Sequence, residues 1–265
     1  MTTKFAIAAA VASMCAAVSF AEVTSANCVG YSNNTITNGN QGVGGAFMAI
    51  GRGGKMSDLT VSGPGIDAVK AQNEGNYWNQ GISCGLLDKY GLSLKRMYWY
   101  DITGAIYGWY DSTGMAADYN DDPIEPGQGL WFASDIDGVT LNSSGEVIMD
   151  GYAVTLTNGN QLVSNPLPVD IKMGQIGISG PEIDKIKEQN GGNYWNQGIS
   201  CGLFDKYGVS ISRMYWYDIV DAIYGWYDST GMAADYNNDI LKAGQALWTA
   251  SDVECQMVFP AIEAK

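Results

Sequence analysis

Histidine is absent from all 265 positions of the chain. The imidazole ring is the general base of Ser-His-Asp and Cys-His hydrolases, and it is a frequent ligand in zinc and haem proteins. The absence therefore excludes both kinds of histidine-dependent catalysis and the histidine-based metal and haem sites. No other cofactor motif occurs in the sequence, so no cofactor is predicted.

Basic residues are also scarce, with 14 Lys and Arg against 28 Asp and Glu and a net charge of −14. No cluster of Lys and Arg interrupts this negative balance. A field of that sign repels nucleic acids and anionic membrane surfaces, because both are themselves negatively charged. The composition argues against nucleic acid as a partner and favours a neutral polysaccharide or another protein.

Long apolar runs are missing except near the start, where residues 5–20 are apolar or small after a basic residue. Ser19 and Ala21 place small side chains at positions −3 and −1 before Glu22, the pattern of a signal-peptide cleavage site. The run is short for a membrane span, and no basic stop-transfer cluster follows it. We therefore expect a signal peptide over residues 1–21 and no membrane insertion after cleavage. The expected location is extracellular or at the cell surface, with the periplasm as the other exported compartment.

An internal repeat is the strongest pattern in the remaining chain. The segments Tyr77–Asn120 and Tyr194–Asn237 are offset by 117 residues and differ at only six positions. All eight tryptophans fall in matched pairs. The repeat is long and has two copies, which favours two tandem domains over a solenoid. The predicted domains cover residues 22–149 and 150–265.

Within each copy, the periodicity predicts a mainly β (α+β) fold with a small antiparallel sheet or sandwich and one helix. In the second copy, residues 152–163 alternate around an Asn-Gly turn. Residues 179–182 resemble a helix start with proline in the first turn, and Gly191 with Gly192 would end that helix. The remaining predicted strands cover residues 213–218, 223–227, 246–249 and 256–259.

Four cysteines remain after signal cleavage, and an even number in an exported protein favours disulfides. Cys84 and Cys201 occupy the same place in the two copies, Cys28 precedes the first opening strand, and Cys255 lies in the second closing strand. If opening and closing strands are neighbours, the expected disulfides are Cys28–Cys84 and Cys201–Cys255. A bond between Cys28 and Cys255 is the alternative.

Carboxylates are the remaining candidates for catalysis, because glycosidases need only a pair of them. The candidates lie at strand ends and turns, where aspartates also commonly accept hydrogen bonds from nearby backbone. They are Asp101, Asp111 and Asp118, with Asp218, Asp228 and Asp235 in the second copy. The structural interpretation is favoured, and no catalytic residue is assigned.

Two acidic loops, residues 118–122 and 235–239, carry the oxygen ligands that calcium prefers. They lack the glycine at position six and the acid at position twelve of an EF-hand loop. A solvated turn is therefore favoured, and no metal site is predicted.

Aromatic strands are the most distinctive feature of both copies. In residues 97–100, Met97 and Trp99 should point to one face of the sheet and Tyr98 and Tyr100 to the other, since side chains alternate along a strand. Either a tyrosine row forms a platform for sugar rings or a protein partner, or both faces are covered. The tyrosines that would form the platform are Tyr98, Tyr100 and Tyr110, with Tyr215, Tyr217 and Tyr227.

The second copy contains Gly159-Asn160-Gln161-Leu162-Val163-Ser164-Asn165-Pro166, a central Tyr-Gly-Trp and a closing segment that ends at Trp248. This order resembles a domain pattern of uncharacterised secreted bacterial proteins, G-x-N-L-I-S-N-P, then tryptophan, then P-G-x-G-F-W. The first copy keeps the end as residues 126–131, whereas residues 42–46 replace the Ser-Asn-Pro stretch. The resemblance implies an extracellular β-rich module and assigns no catalytic residue.

Two functions are consistent with these features. The first is a non-catalytic binding or structural module of the cell exterior, which gains from duplicated surfaces through effective concentration. The second is a carboxylate-dependent glycoside hydrolase, although an enzyme does not need its whole fold copied. We therefore expect binding without catalysis.

If the signal peptide is removed at the predicted position, the exported protein begins at Glu22. Mass spectrometry of the intact exported protein measures this directly. The variant Ala21→Gln, which places a bulky side chain at position −1, is expected to keep the segment. An exported wild-type chain that retains residues 1–21 would contradict the prediction.

Overall fold

The computed structural model describes residues 29–44, 54–73, 81–87, 93–102, 104–114, 116–190, 198–203, 212–219, 221–231 and 233–262. The first repeat forms β1 (Val29–Ile36), β2 (Gly39–Gly44), β3 (Gly54–Lys55), β4 (Thr60–Ser62), α1 (Ile66–Asn73), β5 (Ile82–Leu87), β6 (Ser93–Ile102), β7 (Ile106–Tyr110), β8 (Pro123–Ile124), β9 (Gly129–Ser134) and β10 (Val139–Glu146). The second repeat forms β11 (Tyr152–Leu156), β12 (Gly159–Ser164), β13 (Ile171–Lys172), β14 (Gly177–Ser179), α2 (Ile183–Asn190), β15 (Ile199–Gly202), β16 (Met214–Ile219), β17 (Ile223–Tyr227), β18 (Ile240–Leu241), β19 (Ala246–Ser251) and β20 (Cys255–Phe259).

Both repeats build the same set of antiparallel sheets. The first repeat has a three-stranded sheet in the order β1-β10-β4, a five-stranded sheet in the order β2-β9-β5-β6-β7, and a short β3-β8 pair. The second repeat has the corresponding orders β11-β20-β14, β12-β19-β15-β16-β17 and β13-β18. The predictions of a mainly β chain with antiparallel sheets are confirmed, and each repeat has one α-helix among the described residues.

Each five-stranded sheet buries one face, which we call the inner face. Trp99 lies opposite Trp109 in the β6–β7 register, and both side chains are almost completely buried. The Trp109 indole N–H donates to the Leu59 carbonyl at 3.0 Å, so its one polar atom is satisfied inside the core. Inner-face residues of the five-stranded sheet and residues of the three-stranded sheet form one buried cluster per repeat.

The opening strands of each repeat separate into different sheets. β11 ends two residues before Asn158, and Gly159 begins β12, so two strands adjoin the Asn-Gly pair as the alternating pattern predicts. However, β11 pairs with β20 and β12 pairs with β19. Gly159 has a φ of 120°, a conformation that side chains of L-residues rarely adopt. The Asn-Gly corner therefore carries the chain from one sheet to the other and does not close a hairpin.

The helices cover one end of each inner face. Val69 of α1 and Ile186 of α2 are fully buried, and Lys70 of α1 forms a 2.9 Å ion pair with Asp101 of β6. The hydrogen bond to Asp101 and the charge of that carboxylate raise the pKa of Lys70 above its ordinary value. Within the described part of the chain, neither helix is long and apolar enough to cross a membrane.

The two repeats meet along a contact that we call the seam. The Gly44 backbone N–H donates to the Gly244 carbonyl at 2.8 Å, and the Ser164 N–H donates to the Gly127 carbonyl at 2.8 Å. Gly44 corresponds to Ser164 and Gly127 to Gly244, so these two bonds are related by exchange of the repeats. The seam is therefore an approximately twofold contact, the arrangement that identical subunits adopt in a dimer.

Small residues of the first repeat make room for larger ones of the second. A Cβ added at Gly129 would lie 2.8 Å from Leu162 Cβ and 2.9 Å from Ala246 Cβ, and one added at Gly44 would overlap the Ser164 side chain. Gly42 and Gly44, the two described glycines of the segment that replaces the Ser-Asn-Pro stretch, therefore contact the second repeat.

The variant Gly44→Ser is expected to destabilise the protein by about 1–3 kcal/mol, because the new side chain overpacks the seam. Thermal unfolding, together with limited proteolysis of the connector at residues 147–151, measures the effect. The double variant Gly44→Ser/Ser164→Gly exchanges the two side chains and should recover most of the stability. Equal loss in the single and double variants would contradict this description of the seam.

Candidate functional site

The outer face of each five-stranded sheet, opposite the core, carries a tryptophan beside a floor of small residues. Trp131 of β9 lies opposite Gly85 of β5, and Ala133 lies opposite Ser83. Gly85 in turn lies opposite Arg96 of β6. Because these partners share a face by strand alternation, a large ring and a guanidinium border a strip without large side chains.

This strip forms a cavity of about 300 Å³ in the first repeat and one of about 240 Å³ in the second. We call them the tryptophan pockets. The first is lined by Asn40, Ser83, Cys84, Gly85, Arg96, Trp131 and Ala133. The second is lined by the seven corresponding residues, Asn160, Ser200, Cys201, Gly202, Arg213, Trp248 and Ala250.

Hydrogen bonds join polar side chains within the pockets. In the second pocket, the Trp248 indole N–H donates to Asn160 Oδ1 at 2.8 Å, and Arg213 Nη2 donates to Ser200 Oγ at 3.3 Å. The Arg213 guanidinium also lies over the Tyr215 ring, 5.7 Å from its centroid. The first pocket repeats the arginine arrangement, with Arg96 bonded to Ser83 and stacked over Tyr98. Both tryptophans are half-buried, so part of each ring faces solvent.

The pocket arginines differ from the lysines in their pairing. Five of the seven described lysines form ion pairs with carboxylates. Arg96 and Arg213, the two arginines in the described ranges, form none. Each guanidinium has five N–H donors in a fixed plane, and its hydrogen bonds to described residues go to a pocket serine. Each pocket therefore combines the flat apolar ring of a tryptophan with the N–H donors of an arginine that forms no ion pair with a described carboxylate.

Two of the predicted platform tyrosines lie in the interior. Tyr100 and Tyr217 have no exposed surface. The Tyr100 hydroxyl donates to the Ser112 carbonyl at 3.1 Å, and the Tyr217 hydroxyl makes the same bond to Ser229. The loop after β7 or β17 folds over each ring. Neither ring is accessible as part of an open tyrosine platform, and at these positions both faces of the sheet are covered.

The other four platform tyrosines are half-buried on the outer face. Tyr98 lies opposite Ser83 and Tyr110 in neighbouring strands, which places it next to the pocket rather than in an open row. Tyr110 packs edge-to-face on Tyr100, with ring centroids 6.2 Å apart. The corresponding residues Tyr215 and Tyr227 have the same positions in β16 and β17.

Sequence reasoning missed Trp131, Trp248 and the pocket arginines. The alternation of residues 129–134 could have indicated Trp131: Leu130 and Phe132 point into the core, so Trp131 between them points to the outer face. It also missed the exposed rings of Tyr107 and Tyr224, which are 57% and 59% accessible at the ends of the aromatic hairpins.

The predicted disulfide between Cys201 and Cys255 is wrong. Cys84, Cys201 and Cys255 are free, buried thiols, whereas Cys28 lies outside the described residues. Opening and closing strands do pair, as expected, but they form the three-stranded sheet. Cys201 instead lies in the five-stranded sheet, opposite Thr249 and Met214. Burial raises the pKa of all three thiols, so they stay protonated and are poor nucleophiles at neutral pH.

The carboxylates considered for catalysis have structural partners. Asp111 accepts hydrogen bonds from the Thr113 hydroxyl at 2.9 Å and from the Ala116 backbone N–H at 3.3 Å. Asp118 accepts from both the backbone and the side-chain amide of Asn120. Their counterparts Asp228 and Asp235 make the same bonds, and Asp101 and Asp218 form the ion pairs with the helices. Among the described residues, including those of the acidic loops, no group of three or more acidic or cysteine side chains could hold a metal ion.

Comparison of the chain with protein-family models, curated protein sequences and solved structures finds no match. The resemblance to secreted bacterial modules therefore stays a prediction.

Tyr100→Phe is expected to lower the free energy of unfolding by about 1 kcal/mol, because it removes the buried hydroxyl that donates to the Ser112 carbonyl. Tyr98→Phe serves as the matched control and should have little effect, since Tyr98 is half-buried on the same strand and face. Chemical denaturation of both variants measures the difference. Equal stability of the two variants would show that the Tyr100 hydroxyl does not anchor the loop.

Proposed function

We propose that this chain is an exported, non-catalytic protein that binds a polysaccharide through its tryptophan pockets. The half-exposed indole offers flat apolar area on which a sugar ring stacks. The guanidinium, the asparagine amide and the serine hydroxyl surround it with hydrogen-bonding groups for sugar hydroxyls. A cavity of 240–300 Å³ suits one or two sugar units of a longer polymer rather than a large enclosed ligand.

The observation that carries the proposal is the presence of the same seven lining residues in both repeats. Other outer-face positions on the same strands differ between the copies, for example Gly42 against Leu162 and Gly129 against Ala246. The pockets have stayed alike while nearby seam positions have diverged, as expected if each pocket binds the same chemical group.

The proposal includes two tandem domains, residues 22–149 and 150–265, each with its own pocket. Separate buried clusters in the two repeats support this division. The proposed location is outside the cell or at its surface, where a polysaccharide ligand is accessible.

The double variant Trp131→Ala/Trp248→Ala tests the function. Retention on insoluble cellulose, chitin and starch is measured for the wild type and the variant, with affinity electrophoresis in soluble glucans. We expect the wild type to bind at least one of these polymers and each lost indole to weaken binding about tenfold, equivalent to about 1.4 kcal/mol.

Tyr107→Ala/Tyr224→Ala is the matched control, because it removes two exposed aromatic rings outside the pockets. This control should bind like the wild type. The proposal fails if the wild type binds no polysaccharide tested, or if the tryptophan variant binds as well as the control.

A further inference from the structure

The two tryptophan pockets lie on sheet faces that converge at the seam. Gly129 is two residues from Trp131 on β9, so strand alternation places both on the outer face. Ala246 is two residues from Trp248 on β19 in the same way. A Cβ at Gly129 would meet Ala246 Cβ at 2.9 Å, so the outer faces touch each other there.

The seam contact between the two outer faces also includes β2 and β12, the edge strands of the two five-stranded sheets. Gly42 lies opposite Trp131, and a Cβ at Gly42 would lie 3.0 Å from the Ala246 carbonyl oxygen. Leu162 lies opposite Trp248 and packs against Gly129. The residues beside each tryptophan thus form the seam, and the two outer faces meet there.

The spacing along the strands limits the distance between the pockets. Two residues of a β-strand span about 7 Å, and Gly129 and Ala246 are in contact, so the Trp131 and Trp248 backbones are within about 20 Å of each other. A further cavity of about 460 Å³ lies at the seam and includes Gly129, Leu162, Gln161 and Tyr152 in its lining.

From this geometry we infer that a single polysaccharide chain occupies both tryptophan pockets at once, crossing the seam between them. The inference rests on the proposed function, because it concerns the same pockets. The seam holds the pockets at a fixed spacing through the paired bonds of Gly44 and Ser164. A ligand bound in one pocket is then presented to the other at high effective concentration.

The dependence of binding on ligand length tests this inference. Soluble oligosaccharides cut from the polymer that retains the wild type are titrated by calorimetry. Fragments shorter than about 20 Å should bind weakly, with two per protein molecule, whereas longer fragments should bind one per molecule and 10²-fold or more tightly. The single variant Trp131→Ala should lose this advantage for long fragments while keeping one weak site.

A variant at the seam distinguishes the effect of the distance between the two pockets from the effect of the residues that line them. Gly129→Leu should force the two outer faces apart at the seam, because Leu162 and Ala246 fill the space beside Gly129. It is expected to keep the weak binding of short fragments at two sites and to lose the tighter binding of long ones. Ala246→Gly removes a side chain at the same contact and should retain the length dependence.

Two ligand molecules per protein at every fragment length would overturn the inference. The inference would also be overturned if the Trp131→Ala variant bound long fragments with the wild-type affinity and differed only in having half as many binding sites per molecule. Either result leaves the proposed function intact, since the pockets would still bind sugar. Failure of the proposed function is distinguishable, because then the Trp131→Ala/Trp248→Ala variant would bind as the wild type does. The stoichiometry of Trp131→Ala decides the question even if Gly129→Leu does not fold.

Discussion

The register of the aromatic hairpin determines where every other feature of the repeat lies. With Trp99 opposite Trp109, both indoles enter the core, and Arg96 and Tyr98 are left on the outer face. A slip of one residue would exchange the two faces and expose the tryptophans. Burial of two large aromatic side chains, with the Trp109 N–H bonded to a core carbonyl, makes this exchange costly. The outer-face pocket is therefore a consequence of the way the core is filled.

The two repeats have nearly the same fold but are not interchangeable at the seam. Gly44 and Gly129 of the first repeat provide the space that Ser164 and Leu162 of the second repeat fill. Two copies with serine at both matched positions would overlap, and two copies with glycine would leave a gap. Complementary divergence at a few positions thus fixes the relative placement of two otherwise equivalent units. The seam positions Gly129 and Ala246 are also two residues from the pocket tryptophans Trp131 and Trp248 on the same strands.

The described cysteines are buried and the turn aspartates bind local groups. The buried thiols have raised pKa values, and the turn aspartates hold the loops after β7 and β17. Asn120 bonds the Trp109 backbone N–H at the end of β7, and a Cβ at Gly108 would collide with its amide. The tryptophan pockets keep accessible polar groups beside an aromatic ring, an arrangement that suits recognition by stacking and hydrogen bonding.

Strand alternation, the helix-start residues and the internal repeat are local patterns, and they were enough to predict a mainly β chain with one helix in each copy. The inward direction of Met97 and Trp99 followed from the same alternation. The cover over Tyr100 comes from carbonyls 11 and 12 residues away. The separation of β11 and β12 into different sheets and the separation of Cys201 from the closing strand depend on which distant strands pair. The seam depends on side-chain volumes at positions in different repeats, such as Gly44 and Ser164. These long-range features escaped prediction because periodicity reports which face a side chain takes, whereas the segment that covers that face is selected by packing across the whole chain.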